Sequence, residues 1–247
     1  MGLKSEITDK VKEILDTNFQ IEDVTYVPEI TDSKLTFLNK GLKFEATVLY
    51  IDLRDSTKIL NKHNKSTIAK IHKAYLHTTV RITKSLGGEV RSFNGDSVLA
   101  FFQGTSKYTL SNAVEAAMKI RYMIANSESG INTLLAKYSA VDFGIGIDDG
   151  HILCVKVGVG GDANTKDLIW IGNPVNKSVV ISDECKASYY IGISNYVYGN
   201  LNDNVKFATK KNPWGQDEKV NMWTSYQVLY NGQYETFYKT NYYWEVE

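Results

Sequence analysis

The chain has 247 residues, and its 28 lysines and arginines equal its 28 aspartates and glutamates, a formal net charge of zero. That balance argues against nucleic acid or an anionic membrane as the main partner. No apolar run approaches the ~20 residues needed to cross a bilayer, and Cys154 and Cys185 make neither a disulfide framework nor a metal motif, so a cytoplasmic location is expected.

Residues 1–43 read as an N-terminal extension. It starts with a helix over 4–16, with Ile7, Val11, Ile14 and Leu15 on one stripe, followed by a polar, irregular stretch around Pro28. A strand is expected at 45–52, where the run Val48, Leu49, Tyr50, Ile51 ends at Asp52. A helical region then spans 56–86, with Ile68, Ile71, Tyr75, Thr78 and Ile82 on one buried face, and Gly87-Gly88 stops it. Residues 89–94 and 97–102 form a hairpin about the turn signal Asn94-Gly95-Asp96. A second helix covers 111–126, with Ala113, Ala117, Ile120 and Ile124 inward.

Two further strands, 139–147 and 151–157, are expected to join across Asp148-Asp149-Gly150, another hairpin signal. Gly158-Val159-Gly160-Gly161 lacks the strand-to-helix context of a dinucleotide loop and reads as a flexible turn. A short strand at 168–171 follows, and Gly172-Asn173-Pro174 opens a helix over 174–184. The order β, α, β, β, α, β predicts an α+β fold with the split βαβ arrangement of ferredoxin-like sheets. Residues 44–205 hold these elements as one domain. Residues 206–247, with Trp214, Trp223, Trp244 and many tyrosines, read as a C-terminal extension completing the sheet or a dimer surface.

The chemistry lies in two aspartates. Asp52 ends a buried strand in YIDLRDST, and Asp96 occupies a hairpin turn in FNGDSVLAFF. Singly, each has a plain role, as a strand-end cap or a turn aspartate. A sheet that sets the strand end beside the turn brings both carboxylates together, where they must share a proton or be neutralised by a cation. Oxygen ligands without a Cys/His cluster favour Mg²⁺ or Mn²⁺, held jointly with substrate phosphates.

From about Phe44 to Leu201 the chain resembles the class III nucleotidyl cyclases. YIDLRDST looks like their first metal segment and FNGDSVLAFF like their second. VDFGIGIDDGHILCVKVG looks like their central glycine-punctuated hairpin, and IGNPVNKSV like the segment carrying a ribose-contacting asparagine. The departures narrow the resemblance. The two positions that read a purine edge are Ser92 and Ile169, and the position of the family's transition-state arginine is Val180, for which Lys177 and Arg91 are candidate replacements. Tyr50 shares a strand face with Asp52 and narrows the base pocket toward a single ring. This combination is similar to the pyrimidine cyclases of bacterial antiphage Pycsar systems, which make cyclic UMP or cyclic CMP and switch on a separate effector.

The resemblance implies attack of the ribose 3′-oxygen on the α-phosphorus, with pyrophosphate leaving and two divalent cations, Mn²⁺ or Mg²⁺, assisting. Asp52, Asp96 and the Ile51 carbonyl are the expected metal ligands. Asn176 is expected to contact ribose from the opposite subunit of a homodimer. Ser56 and Thr57 open the helix expected to receive the triphosphate, and Arg54 either reaches a phosphate or pairs with Asp55. Arg91 and Ser92 face opposite sides of their strand, one of them toward the base. A cationic donor at Arg91 would favour the uracil O4 of UTP over CTP. An effector reached by diffusion of the product is the expected partner. An adenylate or guanylate cyclase and a cyclase-like module without turnover are the competing readings.

Overall fold

The computed structural model describes residues 2–128, 130–158 and 164–246. In chain order it runs α1 (Leu3–Asp16), β1 (Gln20–Asp23), β2 (Lys40–Arg54), α2 (Ser56–Lys62), α3 (Lys65–Ser85), β3 (Glu89–Asn94) and β4 (Ser97–Gln103). It continues with α4 (Lys107–Ala125), α5 (Ile131–Leu135), β5 (Asp142–Gly158), β6 (Lys166–Ile171), α6 (Asn173–Asp183) and β7 (Ile191–Ser194). The last elements are α7 (Asn195–Gly199), α8 (Asp203–Lys206), β8 (Phe207–Lys211), β9 (Asp217–Asn221), β10 (Thr224–Tyr230) and β11 (Gln233–Thr240).

The main sheet has the order β10-β11-β7-β5-β2-β4-β3, and its part β5-β2-β4-β3 is the ferredoxin-like core expected from the element order. Alternation along β2 builds two cores, one on each face. Leu49, Ile51 and Leu53 pack under α3 and α4, whose inward residues include Tyr75, Ala113, Ala117 and Ile120. Leu42, Phe44, Ala46 and Val48 face the other way, where Val27 and Leu35 of the N-terminal segment and Trp170 of β6 cover them. The segment 17–39 also supplies β1, parallel to the start of β2. The apolar stripe of α1, by contrast, has no buried residue.

The helical region after Asp52 divides because Asn64 starts a new helix, its side chain accepting from the Thr67 amide at 3.0 Å. The larger departure concerns Asp148-Asp149-Gly150, which is not a turn. β5 runs straight through it and pairs with β2 from Arg54↔Asp142 to Gly41↔Val155 in one unbroken register. The long partner strand overrides the local turn signal, and Gly150, at φ +143°, takes the backbone strain. Beyond β5 the chain returns as β6, and residues 159–163 of the glycine-rich turn lie outside the described residues.

The C-terminal segment continues the main sheet, β11 pairing with β7 and β10 with β11. Val228, Tyr230 and Phe237 of this hairpin pack against Ile181 of α6. Tyr230 donates to Asn173 Oδ1 at 2.5 Å, and Lys177 pairs with Glu235 at 2.7 Å. The hairpin thereby grips α6 along its length. Glycine makes the sheet side of that contact possible, since a Cβ on Gly146 would lie 1.9 Å from the Ser178 carbonyl.

Candidate active site

β2 pairs with β4 only as far as Ile51↔Val98, while its pairing with β5 continues to Arg54. β4 therefore parts from β2 one residue before Asp52, and the turn preceding it, Gly95-Asp96, comes alongside the Asp52 carboxyl. Gly95 closes that turn at φ +65°. The two acids feel each other: burial first, then the Asp96 charge, raises the Asp52 pKa, while Arg54 opposes the rise. Asp96 Oδ2 is buried and has no hydrogen-bond partner among the described residues.

Asp55, in the left-handed region at φ +56°, swings the chain from β2 into α2. Ser56 then joins Gly95, Asp96, Lys65, Ile68 and His72 around an open groove of about 410 Å³. Thr57 is exposed beside it. On the Asp52 face of the sheet, Tyr50 is opposite Leu99, and Leu99 is opposite Ser92. Directly paired residues share a face, so Tyr50, Leu99 and Ser92 form one row across three strands leading away from the acids.

Other expectations are corrected. Arg91 does not alternate with Ser92, because β3 bulges between Val90 and Ser92 and leaves Arg91 as the extra residue. Its guanidinium donates to the Pro28 carbonyl at 2.8 Å and the Val27 carbonyl at 3.1 Å, and pairs with Glu89. It anchors the N-terminal segment, so its charge is not available to favour uracil O4. Arg54 neither pairs with Asp55 nor is free for a phosphate. Its Nε donates to the Cys185 carbonyl at 2.9 Å, Nη2 to the Ser182 carbonyl and to Ser182 Oγ at 3.0 Å, and Nη1 lies 3.3 Å from Asp183 and 3.5 Å from Asp52. Arg54 thus clasps the C-terminal end of α6 to the strand that carries Asp52. Lys177, engaged with Glu235, is not a free replacement for the missing arginine.

Asn176 is exposed on α6, seven residues before Asp183 and so near the same helix face. That spacing is a pointer to Asp183 that the motifs themselves do not mark. Tyr75, whose hydroxyl is buried within reach of both acids' charges, sits in the core stripe expected for α3, and nothing in a helical stripe separates a packing tyrosine from one with a polar duty.

These residues fit a hard divalent cation. Asp96 lines the groove and its charge reaches the Asp52 carboxyl, one Asp96 oxygen has no donor among the described residues, and the Ile51 backbone adjoins Asp52. Among the described residues no group of three or more His, Cys, Asp or Glu side chains is arranged to hold an ion. The fit is therefore to an ion whose coordination is completed by substrate oxygens.

Comparison with known proteins gives the family. A curated uridylate cyclase from Xanthomonas perforans is 32% identical over 251 residues and matches 100% of both chains. The chain belongs to the class III nucleotidyl cyclases, among the Pycsar uridylate cyclases. It is a nucleotidyl cyclase. A second curated uridylate cyclase, from Burkholderia cepacia, is 30% identical over 91% of this cyclase and 96% of its own length. No family model matches the chain. Among solved structures, a guanylyl cyclase superposes with a TM-score of 0.65 at 18% identity, covering 83% of this chain and 95% of that one. The adenylyl cyclase of P. aeruginosa gives 0.62 at 18% identity over 81% and 95%. At that identity the structural matches establish the fold alone. Among the described residues no helix is long and apolar enough to cross a membrane.

Proposed function

We propose that this cyclase converts UTP to 3′,5′-cyclic UMP and pyrophosphate at a site assembled from Asp52 and Asp96 of one protomer and Asn176 of a second. The observation that carries this reading is the convergence of the two carboxylates, with a buried Asp96 oxygen that has no protein partner. Two divalent cations, Mg²⁺ or Mn²⁺, supply Lewis acidity to the 3′-hydroxyl and to the phosphates when bound.

The chain's own residues do the rest. Asp52 and Asp96, with the Ile51 carbonyl, fix where positive charge sits, and their half-buried setting strengthens every charge interaction there. The Ser56 hydroxyl lines the groove beside them and is placed to donate to a phosphate oxygen. Tyr50 walls the sheet side of the base, leaving Ser92, two strands away in the same row, to meet the edge of a single ring. Asn176, exposed on α6, is free to reach the ribose bound by the other subunit, so a homodimer would hold two sites. With Arg91 removed from the pocket, support for UTP over CTP comes from the uridylate cyclases similar to this chain over its full length. The cyclic nucleotide would serve as a diffusible second messenger to a separate effector in antiphage defence, in the cytoplasm.

The test is incubation of the purified cyclase with each of the four ribonucleoside triphosphates and Mn²⁺, followed by mass identification of the product. Cyclic UMP from UTP as the dominant product supports the proposal. Cyclic CMP, or a cyclic purine nucleotide, would reassign the base pocket and leave the metal pair intact. Absence of any cyclic product would count against turnover itself.

A further inference from the structure

Tyr75 lies on α3, fully buried, in the stripe with Ile71 and Ile82 that faces the sheet. Its ring belongs to the main core, yet its hydroxyl oxygen has no hydrogen-bond partner among the described residues. A phenylalanine would fill the same space without stranding a polar group, so the hydroxyl opposes packing as the structure stands. The stripe also passes close to the metal turn. Ile68 and His72, seven and three residues before Tyr75 on α3, line the groove that Gly95 and Asp96 line from the other side. Burial first, then the charges of Asp52 and Asp96, raise the Tyr75 pKa and keep its proton on.

Two unpartnered buried atoms therefore lie in one neighbourhood, and they are complementary. Tyr75 Oη is a donor, and Asp96 Oδ2 is an acceptor. A carboxylate that gives one oxygen to a cation is commonly oriented through its other oxygen by a donor behind it, and loss of that donor weakens the site. We infer that Tyr75 is a positioning residue for the metal pair, its hydroxyl donating to the Asp96 carboxylate when that carboxylate engages a divalent cation. The inference rests on the metal site proposed above and adds to it a residue on the core side. It also explains a tyrosine at a position where packing alone asks only for a ring.

The experiment is a titration of the full chain with Mn²⁺ alone, read by electron paramagnetic resonance, for the unaltered protein, Tyr75→Phe and Asp96→Asn, with thermal melts of the metal-free proteins alongside. Tyr75→Phe is expected to melt at or above the unaltered protein and to bind Mn²⁺ about 10-fold more weakly. Asp96→Asn is expected to lose saturable binding. If Tyr75→Phe keeps full Mn²⁺ affinity while Asp96→Asn loses it, the role of Tyr75 is overturned and the metal site stands. A metal-free Tyr75→Phe that melts well below the unaltered protein overturns the inference too, because the hydroxyl then has a structural partner. Full affinity in Asp96→Asn, or no saturable binding by the unaltered chain, overturns the metal site itself.

Discussion

Two acidic pairs flank β2, and they differ in almost everything except composition. Asp52, near the end of β2, and Asp96, in the turn before β4, are 44 positions apart in sequence. The Asp96 charge reaches Asp52, Asp96 lines an open groove, and Arg54 is a partial counter-charge to Asp52. Asp148 and Asp149 are neighbours in the middle of β5 whose side chains take opposite faces of the sheet, Asp148 buried with Ser194 and Lys177 in reach and Asp149 half-buried. Burial pushes the Asp148 carboxyl up to about 6, against help from the Ser194 hydroxyl and Lys177. Burial, then the Asp148 and Glu45 charges, push Asp149 up to about 7. Both β5 carboxyls are raised toward neutral pH, whereas Asp96 of the other pair lines an open groove and keeps an oxygen with no hydrogen-bond partner among the described residues. Proximity of carboxylates is thus insufficient for a metal site. For the proposed site, the groove and the unfilled Asp96 oxygen mark the difference.

The largest effect that could break this comparison is on turnover. Asp52→Ala or Asp96→Ala should lower cyclic nucleotide formation at least about 10³-fold while leaving the circular dichroism of the fold unchanged. Product at the normal rate from either variant would show that the open pair is not the metal site.

Next in size is the clasp beside that pair. Arg54→Ala removes charge-assisted donors from the Ser182 and Cys185 carbonyls and leaves Asp52 without its cation. It should lower unfolding free energy by about 3 kcal/mol in urea titration. A change within error would mean that α6 is held by the C-terminal hairpin alone.

The smallest effect sharpens the β5 half of the comparison. Both β5 carboxyls titrate above the ordinary aspartate range in the fold. Their contribution to stability is therefore full below about pH 4 and is lost as pH rises through 6 and 7. Asp149→Asn should be more stable than the unaltered chain at pH 8 by on the order of 1 kcal/mol, with the gap shrinking toward pH 5. A gap that stays constant with pH would show that Asp149 ionises normally.

Which parts of this were legible in the sequence follows from how far each signal reaches. Asn94-Gly95-Asp96 makes its turn because both hairpin strands are short and the glycine supplies the left-handed φ locally. Pro174 opens α6 for an equally local reason. Asp148-Asp149-Gly150 carries the same kind of signal and fails, because a 15-residue partner strand holds β5 straight. Strand alternation correctly puts Tyr50 and Asp52 on one face. It fails at Arg91, where an inserted residue breaks the period and the side chain turns to Val27 and Pro28. Arg54 finds its partners about 130 residues away, a pairing no spacing rule in one sequence can supply.

The most direct measurement is a crystal of the cyclase grown with Mn²⁺ and a non-cyclisable UTP analogue, read by anomalous scattering. Manganese peaks between the carboxylates that close β2 and open β4, with none beside the mid-strand acids of β5, are the predicted result. Density for the ion elsewhere, with Asp52 and Asp96 left uncoordinated, would contradict the account.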